Sequence, residues 1–306
     1  MNILITGVHG PAGEALLAQF AETRHSHHRI IGVDTEPVDH PALHAAEQVP
    51  AASEADMIDR LSDLVRRHDV DVIIPTVQEE LPVLARAARE CRFYPARVVV
   101  PEPADVEVSC DRYRTMLLLE ESWVPIPRFT RPEFHQDPAT MVEAVGDHAV
   151  IQPRECRGPR RVREIHPGLM AESEWADVGE NVLLQEFAPG QEFAPMVYLP
   201  PGDKPPTVVV VEKLRGGDAG AQEVQRLPAD EHPEVGRIAL GAARALGLRG
   251  PVDVSLRCLA DGRPVVLSVN ARFGAHSALA PEILDALLED LTADLEPGLS
   301  PDLGCR

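Results

Sequence analysis

Alternating strand and helix patterns in the first hundred residues most strongly constrain the fold of this chain. Short apolar runs at 2–8, 29–35, 70–76 and 97–101 are separated by helical patterns at 11–24, 54–69 and 79–92. Strands separated by helices form parallel sheets, because each crossover needs a connection of helical length. The spacing therefore predicts a parallel, Rossmann-like α/β domain over residues 1–108.

The rest of the chain has a different pattern. Strand-like runs follow one another at 149–154, 160–165, 181–187, 207–214, 251–258 and 264–273, with helical patterns at 110–121, 231–248 and 281–295. An Asp-Gly turn at 261–262 joins the last two strands, which is typical of a hairpin. We expect two α+β subdomains with largely antiparallel sheets, covering residues 109–183 and 184–306.

Composition excludes several classes of function. The net charge of −20 argues against nucleic acid as a partner, since phosphate binding needs a basic surface. No apolar run reaches the roughly 18 residues that a membrane helix needs. The five cysteines are scattered and lack C-x-x-C spacing, so neither a disulfide framework nor a zinc site is predicted. The sequence begins directly with a strand, and we expect a cytoplasmic protein.

A glycine run follows the first strand and admits two interpretations. ITGVHGPAG (5–13) lies between a strand and a helix, and Asp34 ends the next strand. Glycines there allow a pyrophosphate to approach the backbone, so a nucleotide-binding oxidoreductase is one hypothesis. However, none of the three tyrosines has a lysine four residues later, as a short-chain dehydrogenase requires. A tight turn without a cofactor is the alternative.

Five short motifs in the second half occur in a recognisable order. They are Cys110-Asp111-Arg112 at a helix start, VPIPRF (124–129), VIQPR (150–154), LLQEFAPGQEF (183–193), and the strand pair ending in VVLSVNARF (265–273). Together they resemble the ATP-grasp superfamily, in its carbamoyl phosphate synthase-like and carboxylate–amine ligase branches. The resemblance covers nearly the whole chain. It implies a pre-ATP-grasp domain followed by two ATP-grasp subdomains with ATP between them.

The resemblance also implies a role for individual residues. The nucleotide contacts it implies are Arg112, Gln152 and Arg154 at the phosphates, Gln185, Glu186 and Ala188 at the adenine, and Glu192 at the ribose. Residues 154–161 correspond to the loop that covers the phosphates. Ser255, Ser268 and Asn270 occupy the magnesium-ligand positions, and Arg272 matches the catalytic arginine that contacts phosphate or the acyl-phosphate.

Several of these positions depart from the family pattern. Ser255 and Ser268 replace carboxylate or amide ligands, although Mg²⁺ normally takes at least one carboxylate. Gln152 replaces a cation, and arginines replace glycines in the phosphate loop. Asp253 lies two residues before Ser255 and hence on the same strand face, where its carboxylate is available to a displaced metal. Glu212 is a second candidate ligand.

Two main hypotheses follow. The first is an ATP-grasp ligase that joins a carboxylate to an amine through an acyl-phosphate, with small-molecule substrates and a homodimeric assembly. The second is a catalytically silent relative that binds a nucleotide or another anion as a regulatory or partner subunit. For the ligase, the candidate substrate contacts in the first domain are His9 and Gln78 to Glu80.

Overall fold

The computed structural model describes residues 1–135, 137–155, 162–169, 179, 181–214 and 223–295. The loop prediction for 156–161 therefore lies outside the described residues. Within the described part, no helix is both long enough and apolar enough to cross a bilayer.

The first sheet has five parallel strands and confirms the predicted α/β domain. In chain order its strands are β1 Asn2–Thr6, β2 Arg29–Asp34, β3 Ala45–Gln48, β4 Val72–Ile74 and β5 Arg97–Val98. The helices between them are α1 Pro11–Phe20, α2 Met57–Arg67 and α3 Leu81–Arg89. The spatial order is β3-β2-β1-β4-β5. Sequence reasoning missed β3, because this edge strand has no apolar run and is only partly buried.

A four-stranded antiparallel sheet follows two short helices. The helices are α4 Pro103–Ser109 and α5 Arg112–Glu121, and α6 Pro138–Val145 packs on the sheet. The strands are β6 Phe129–Thr130, β7 Ala149–Pro153, β8 Arg163–Ile165 and β9 Val182–Glu186, in the order β6-β9-β7-β8. Asp111 caps α5 by accepting hydrogen bonds from the backbone N–H groups of Tyr113 and Arg114.

The third sheet is antiparallel and has seven strands. They are β10 Glu192–Phe193, β11 Met196–Leu199, β12 Thr207–Val209, β13 Val211–Lys213, β14 Val224–Arg226, β15 Gly250–Cys258 and β16 Pro264–Asn270. Helices α7 Pro233–Ala245 and α8 Pro281–Leu295 flank it. The apolar run predicted at 207–214 is two strands, because β12 pairs with β11 whereas β13 pairs with β10 and β14.

The last helix joins the third sheet to the first. Ile283 and Leu284 of α8 lie in one buried cluster with Ile3 and Ile5 of β1 and with Phe273. At its edge, Arg24 donates a 2.5 Å hydrogen bond to Asp285. Burial of apolar surface stabilises a fold by roughly 25 cal/mol per Å². This cluster therefore holds the first domain against the segment that follows β16 and contains Arg272.

Candidate functional site

The β15–β16 hairpin brings four of the predicted site residues together. Asp253 lies opposite Asn270, and Ser255 lies opposite Ser268. Directly opposed residues of an antiparallel pair point to the same face, so the four side chains form two adjacent polar pairs. Asn270 Nδ2 donates to Asp253 Oδ2 over 3.2 Å. The register shifts immediately after Ser255, which adds a local kink beside the polar pairs.

Glu192 extends this polar face across the sheet. It lies opposite both Arg257 of β15 and Lys213 of β13. Its carboxylate is 2.6 Å from Lys213 Nζ and 3.3 Å from Arg257 Nε. Arg257 alternates with Ser255 and Asp253 along β15, so the charged row lies beside the serine pair on the same face. Sequence reasoning missed Lys213 and Arg257, because only cross-strand pairing reveals them.

Glu212 lies on the opposite face from this row. It is paired with Phe193, which is buried in the core, and its Oε2 accepts a 2.7 Å hydrogen bond from Gln225. Adjacent residues of a strand face opposite sides of a sheet, so Lys213 points to the polar face and Glu212 away from it. The prediction of Glu212 as a second metal ligand is therefore wrong.

The loop after β16 packs closely on Asp253. Arg272 NH1 donates to the Phe273 carbonyl over 2.5 Å, and its backbone N–H donates to the Asn270 carbonyl over 2.9 Å. A Cβ on Gly274 would lie 2.4 Å from Asp253 Oδ1, so only glycine leaves room for the carboxylate. These contacts hold Arg272 beside the Asp253–Asn270 pair.

His276 is a further residue of this site. Burial lowers its pKa and the Lys213 charge lowers it further, whereas Asp253 and Glu192 act in the opposite sense. The net lowering favours the neutral imidazole at neutral pH. The sequence shows His276 in a polar cluster, but it contains no signal that the charges of Lys213, Asp253 and Glu192 act on this histidine.

Arg112 and Arg154 form a second group at the end of β7. Arg154 Nε lies 2.9 Å from Asp111 Oδ1, and Arg154 NH2 lies 2.5 Å from Asp111 Oδ2. Burial would raise the pKa of Asp111, but hydrogen bonds from Arg154 outweigh it and lower the pKa overall. Arg112 NH1 donates to the Pro153 carbonyl over 2.6 Å. Both guanidinium groups are thus anchored at the root of the predicted phosphate loop.

Gln152 and Gln185 form a third, buried group. Gln152 Nε2 donates to Gln185 Oε1, and Gln185 Nε2 lies 3.2 Å from Met116 Sδ. The two side chains are 9% and 3% exposed. A buried amide pair of this kind satisfies polar groups that would otherwise be costly. Gln152 is therefore held by Gln185 where the family pattern places a cation.

The predicted adenine segment follows Gln185. Arg128 binds Glu186 through Nε and NH2 at 3.1 and 3.2 Å. Ala188 is buried in a small apolar cluster with Leu259 and Val265. The ring centroid of Phe187 lies 6.0 Å from Arg257 Cζ. The segment after β9 therefore lies near the charged row that includes Arg257.

The glycine run after β1 is a tight turn. The backbone N–H groups of Val8 and Gly10 donate to the carbonyls of Val33 and Gly7 at 3.4 and 3.0 Å. That of His9 donates to Asp34 Oδ2 over 3.0 Å. Two of these amides are thus used by backbone carbonyls and the third by the acid that would hold a ribose, so the structure favours the turn over a dinucleotide site.

A buried carboxyl group lies beside this turn, where the strand order reverses between β1 and β4. Glu80 is 6% exposed, and Thr6 Oγ1 donates to its Oε2. Thr76 Oγ1 donates to the carbonyls of Thr6 and Gly7 at 2.7 and 3.1 Å, which ties the two strand ends together. Burial raises the pKa of Glu80 to about 7, and the negative charges of Asp34 and Glu79 raise it further. The hydrogen bond from Thr6 lowers this pKa but does not outweigh the other effects.

Replacing Glu80 with glutamine should stabilise the chain above pH 7. The native state keeps a proton on Glu80 that the unfolded chain releases near pH 4.5, so the unfolding free energy falls as pH rises to about 7. We expect E80Q to gain about 3 kcal/mol in unfolding free energy at pH 8 and little at pH 4, as measured by urea unfolding. The exposed Glu14→Gln change serves as the matched control. An equal effect of E80Q at both pH values would contradict the buried, protonated state.

Asp253 is the feature of this site that suits Mg²⁺. Among the described residues, no group of three or more His, Cys, Asp or Glu side chains is arranged to hold a metal ion. Mg²⁺ nevertheless needs only one or two protein carboxylates when nucleotide phosphates and water supply its other ligands. Asp253, next to Asn270 and two serine hydroxyls, fits that limited role.

Comparisons with known proteins support the fold. A sequence model described as the PylC-like N-terminal domain matches residues 3–98. Among solved structures, the L-amino acid ligase from Bacillus licheniformis has a TM-score of 0.65 at 20% identity, covering 91% of this chain and 68% of that one. The N5-carboxyaminoimidazole synthetase from Staphylococcus aureus, complexed with ADP, has a TM-score of 0.70 at 13% identity, covering 97% and 78%.

A carboxyaminoimidazole ribonucleotide synthase from Aspergillus clavatus, complexed with ATP, is also similar, with a TM-score of 0.66 at 13% identity, covering 89% of this chain and 70% of that one. None of the curated protein sequences compared with the chain gives a significant match. The chain thus has the fold of ATP-grasp enzymes, as its motifs predicted. Its first third is similar to the PylC-like N-terminal domain.

Proposed function

We propose that this chain is a cytoplasmic, ATP-dependent ligase that joins a carboxylate to an amine through an acyl-phosphate. The observation that carries the proposal is the polar face of the third sheet. Three polar groups follow one another along this face: the charged row around Glu192, the serine pair, and the Asp253–Asn270 pair. Arg272 lies just beyond the end of β16. This order matches a nucleotide lying along the face, with its ribose at Glu192 and its phosphates toward Arg272.

Different residues would bind different parts of the nucleotide. The segment from Gln185 to Ala188 would bind adenine through its backbone, and Arg112 and Arg154 would hold the phosphates at the loop root. Arg272 would neutralise the charge that develops on the transferred phosphoryl group. The first sheet would face the substrate, and the two subdomains would enclose the nucleotide. The boundary predicted at 183 falls inside β9, which pairs wholly within the four-stranded sheet, so we place the division between the two subdomains after Glu186.

Magnesium would be held by Asp253 with help from Asn270, Ser255 and Ser268. When bound, the ion would neutralise phosphate charge. Lys213 and Arg257 add fixed positive charge on the same face. The two serines are neutral and add no charge. Neutral His276 would accept a proton from the incoming ammonium group before the amine attacks the acyl-phosphate carbon and displaces phosphate.

Trapping of the acyl-phosphate tests this function without knowledge of the amine. The chain would be incubated with Mg·ATP, hydroxylamine and pools of small carboxylic acids, including amino acids. We expect ADP and a hydroxamate to form in equal amounts with one pool. ADP that binds tightly without turnover of any pool would instead support a silent, regulatory relative. A homodimer is expected, and light scattering measures it.

A further inference from the structure

Glu192, the residue that we assign to the ribose, lies between two cations. It belongs to the short strand β10, which pairs with β13 on one side and with β15 on the other. These two ladders fix the backbone of Glu192. The direction of its carboxylate therefore depends on the side chains that contact it, which are Lys213 from β13 and Arg257 from β15.

Lys213 makes the stronger of these two contacts. Its Nζ donates to Glu192 Oε1 over 2.6 Å. Arg257 Nε lies 3.3 Å from Glu192 Oε2, yet this Nε has no hydrogen-bond partner among the described residues. Hydrogen bonds weaken steeply when the donor is poorly aligned, and a charge-assisted bond as short as that of Lys213 is a strong one. Lys213 is therefore the residue that fixes where the carboxylate points.

The carboxylate of Glu192 still has acceptor sites for a ligand. Its side chain is 22% exposed, so the group is not sealed from solvent. An ionised carboxylate has about four acceptor sites on its two oxygens. Lys213 and Arg257 face one oxygen each, which leaves an acceptor site on both oxygens. Two such sites suit the neighbouring hydroxyl groups of a ribose, because each hydroxyl donates one O–H.

We propose that Lys213 is a positioning residue, which orients Glu192 so that its carboxylate accepts hydrogen bonds from both ribose hydroxyls of the nucleotide. This role rests on the proposed ligase function, because it takes a ribonucleotide as the ligand of the polar face. The charge of Lys213 alone would act equally on ATP and 2′-deoxy-ATP, since both carry the same phosphates. The ratio of the two affinities therefore isolates the effect that Lys213 exerts through Glu192.

Calorimetric titration of the full chain with Mg·ATP and with Mg·2′-deoxy-ATP tests the proposal. We expect the unchanged chain to bind ATP about tenfold more tightly, because a partly buried carboxylate loses a hydrogen bond when the 2′-hydroxyl is missing. Lys213→Met should reduce this ratio to about threefold or less, because the carboxylate loses its strongest partner. Lys213→Arg keeps a cationic donor and should retain most of the ratio. An equal loss of affinity for both nucleotides in K213M would overturn the proposal.

A double-mutant cycle shows whether Lys213 acts through Glu192. Glu192→Gln removes the carboxylate charge, so adding Lys213→Met to this variant should change the nucleotide ratio little. A further drop as large as that in the single variant would refute a role through Glu192. Thermal unfolding establishes that each variant folds, and Lys213→Gln replaces Lys213→Met, with the same expected result, if the methionine variant does not.

The other lysine of the chain supplies the matched control. The sequence contains only two lysines, and Lys204 also pairs with a carboxylate, that of Asp290 in α8. Lys204→Met removes the same charge and a comparable pair, and should leave both nucleotide affinities unchanged. A loss of discrimination in K204M as large as in K213M would assign the effect to net charge and contradict the proposal.

The outcomes also separate this proposal from the proposed function. A chain that binds neither nucleotide would contradict the ligase function and the role of Lys213 together. A chain that binds ATP and 2′-deoxy-ATP equally would leave the ligase function in place and overturn only the positioning role.

Discussion

Replacement of Asp253 by asparagine is expected to lower ATP turnover about 100-fold while leaving the fold intact. The change keeps the shape of the side chain, so the close fit against Gly274 and the contact with Asn270 are retained. It removes the carboxylate that we assign to the metal, and neither Ser255 nor Ser268 replaces it. The measurements are the ADP release rate and the affinity for Mn²⁺ in the presence of a non-hydrolysable ATP analogue.

The matched control for Asp253 is Asp261→Asn, in the turn of the same hairpin. Asp261 binds the Arg263 backbone and side chain at 3.0 and 2.6 Å and is exposed. Its replacement should leave both turnover and Mn²⁺ affinity unchanged. If D253N bound Mn²⁺ as tightly as the unchanged chain, the assignment of the metal to Asp253 would fail, even if turnover dropped for another reason.

Gly190→Ala is expected to destabilise the chain by about 3 kcal/mol and to weaken nucleotide binding. A Cβ at this position would lie 2.6 Å from the Cys258 carbonyl oxygen and 2.5 Å from Cys258 Cβ. The Gly190 N–H also donates to that carbonyl over 2.7 Å, which fixes the turn between the adenine segment and Glu192. The clash would involve the backbone of a central strand, which has little freedom to move.

Urea unfolding and nucleotide titration measure the effect of Gly190→Ala. Gly241→Ala is the control and should raise the unfolding free energy, whereas Gly190→Ala should lower it. A Cβ on Gly241 would lie 4.0 Å from its nearest neighbour, Val124 Cγ2, and alanine favours the helix more than glycine does. We expect this control to gain up to about 1 kcal/mol and to bind nucleotide normally. A stable G190A variant with unchanged affinity would show that the turn does not position the adenine segment.

The charge distribution explains how this chain could use ATP with few metal ligands. The row of Lys213 and Arg257 flanks Glu192, and Arg272 follows the Asp253–Asn270 pair. Side-chain cations therefore lie at both ends of the serine pair. Fixed positive charge in a partly buried site stabilises phosphate more strongly than the same charge in water. In the proposed site, fixed cations would therefore contribute more to phosphate binding, and metal ligands less.

Local patterns were enough to predict the architecture. Apolar runs spaced by helices predicted the parallel sheet of the first domain, because such strands can be joined only by long crossovers. The order of motifs from Asp111 to Arg272 predicted the ATP-grasp fold, and alternation along β15 put Asp253 on the same face as Ser255. The edge strand β3 was missed because a half-exposed strand such as AAEQ lacks an apolar signal.

The sequence by itself determined which residue types each strand presents and in what order, since side-chain direction alternates along a strand. It could not determine which strands become neighbours. The tertiary structure decided that Lys213 and Arg257 flank Glu192, that Glu212 faces away, and that the charges of Lys213, Asp253 and Glu192 act on the pKa of His276. Only the packed chain surrounds Glu80 and Gln78 with buried neighbours. These properties depend on pairing between distant segments, and local periodicity carries no information about that pairing.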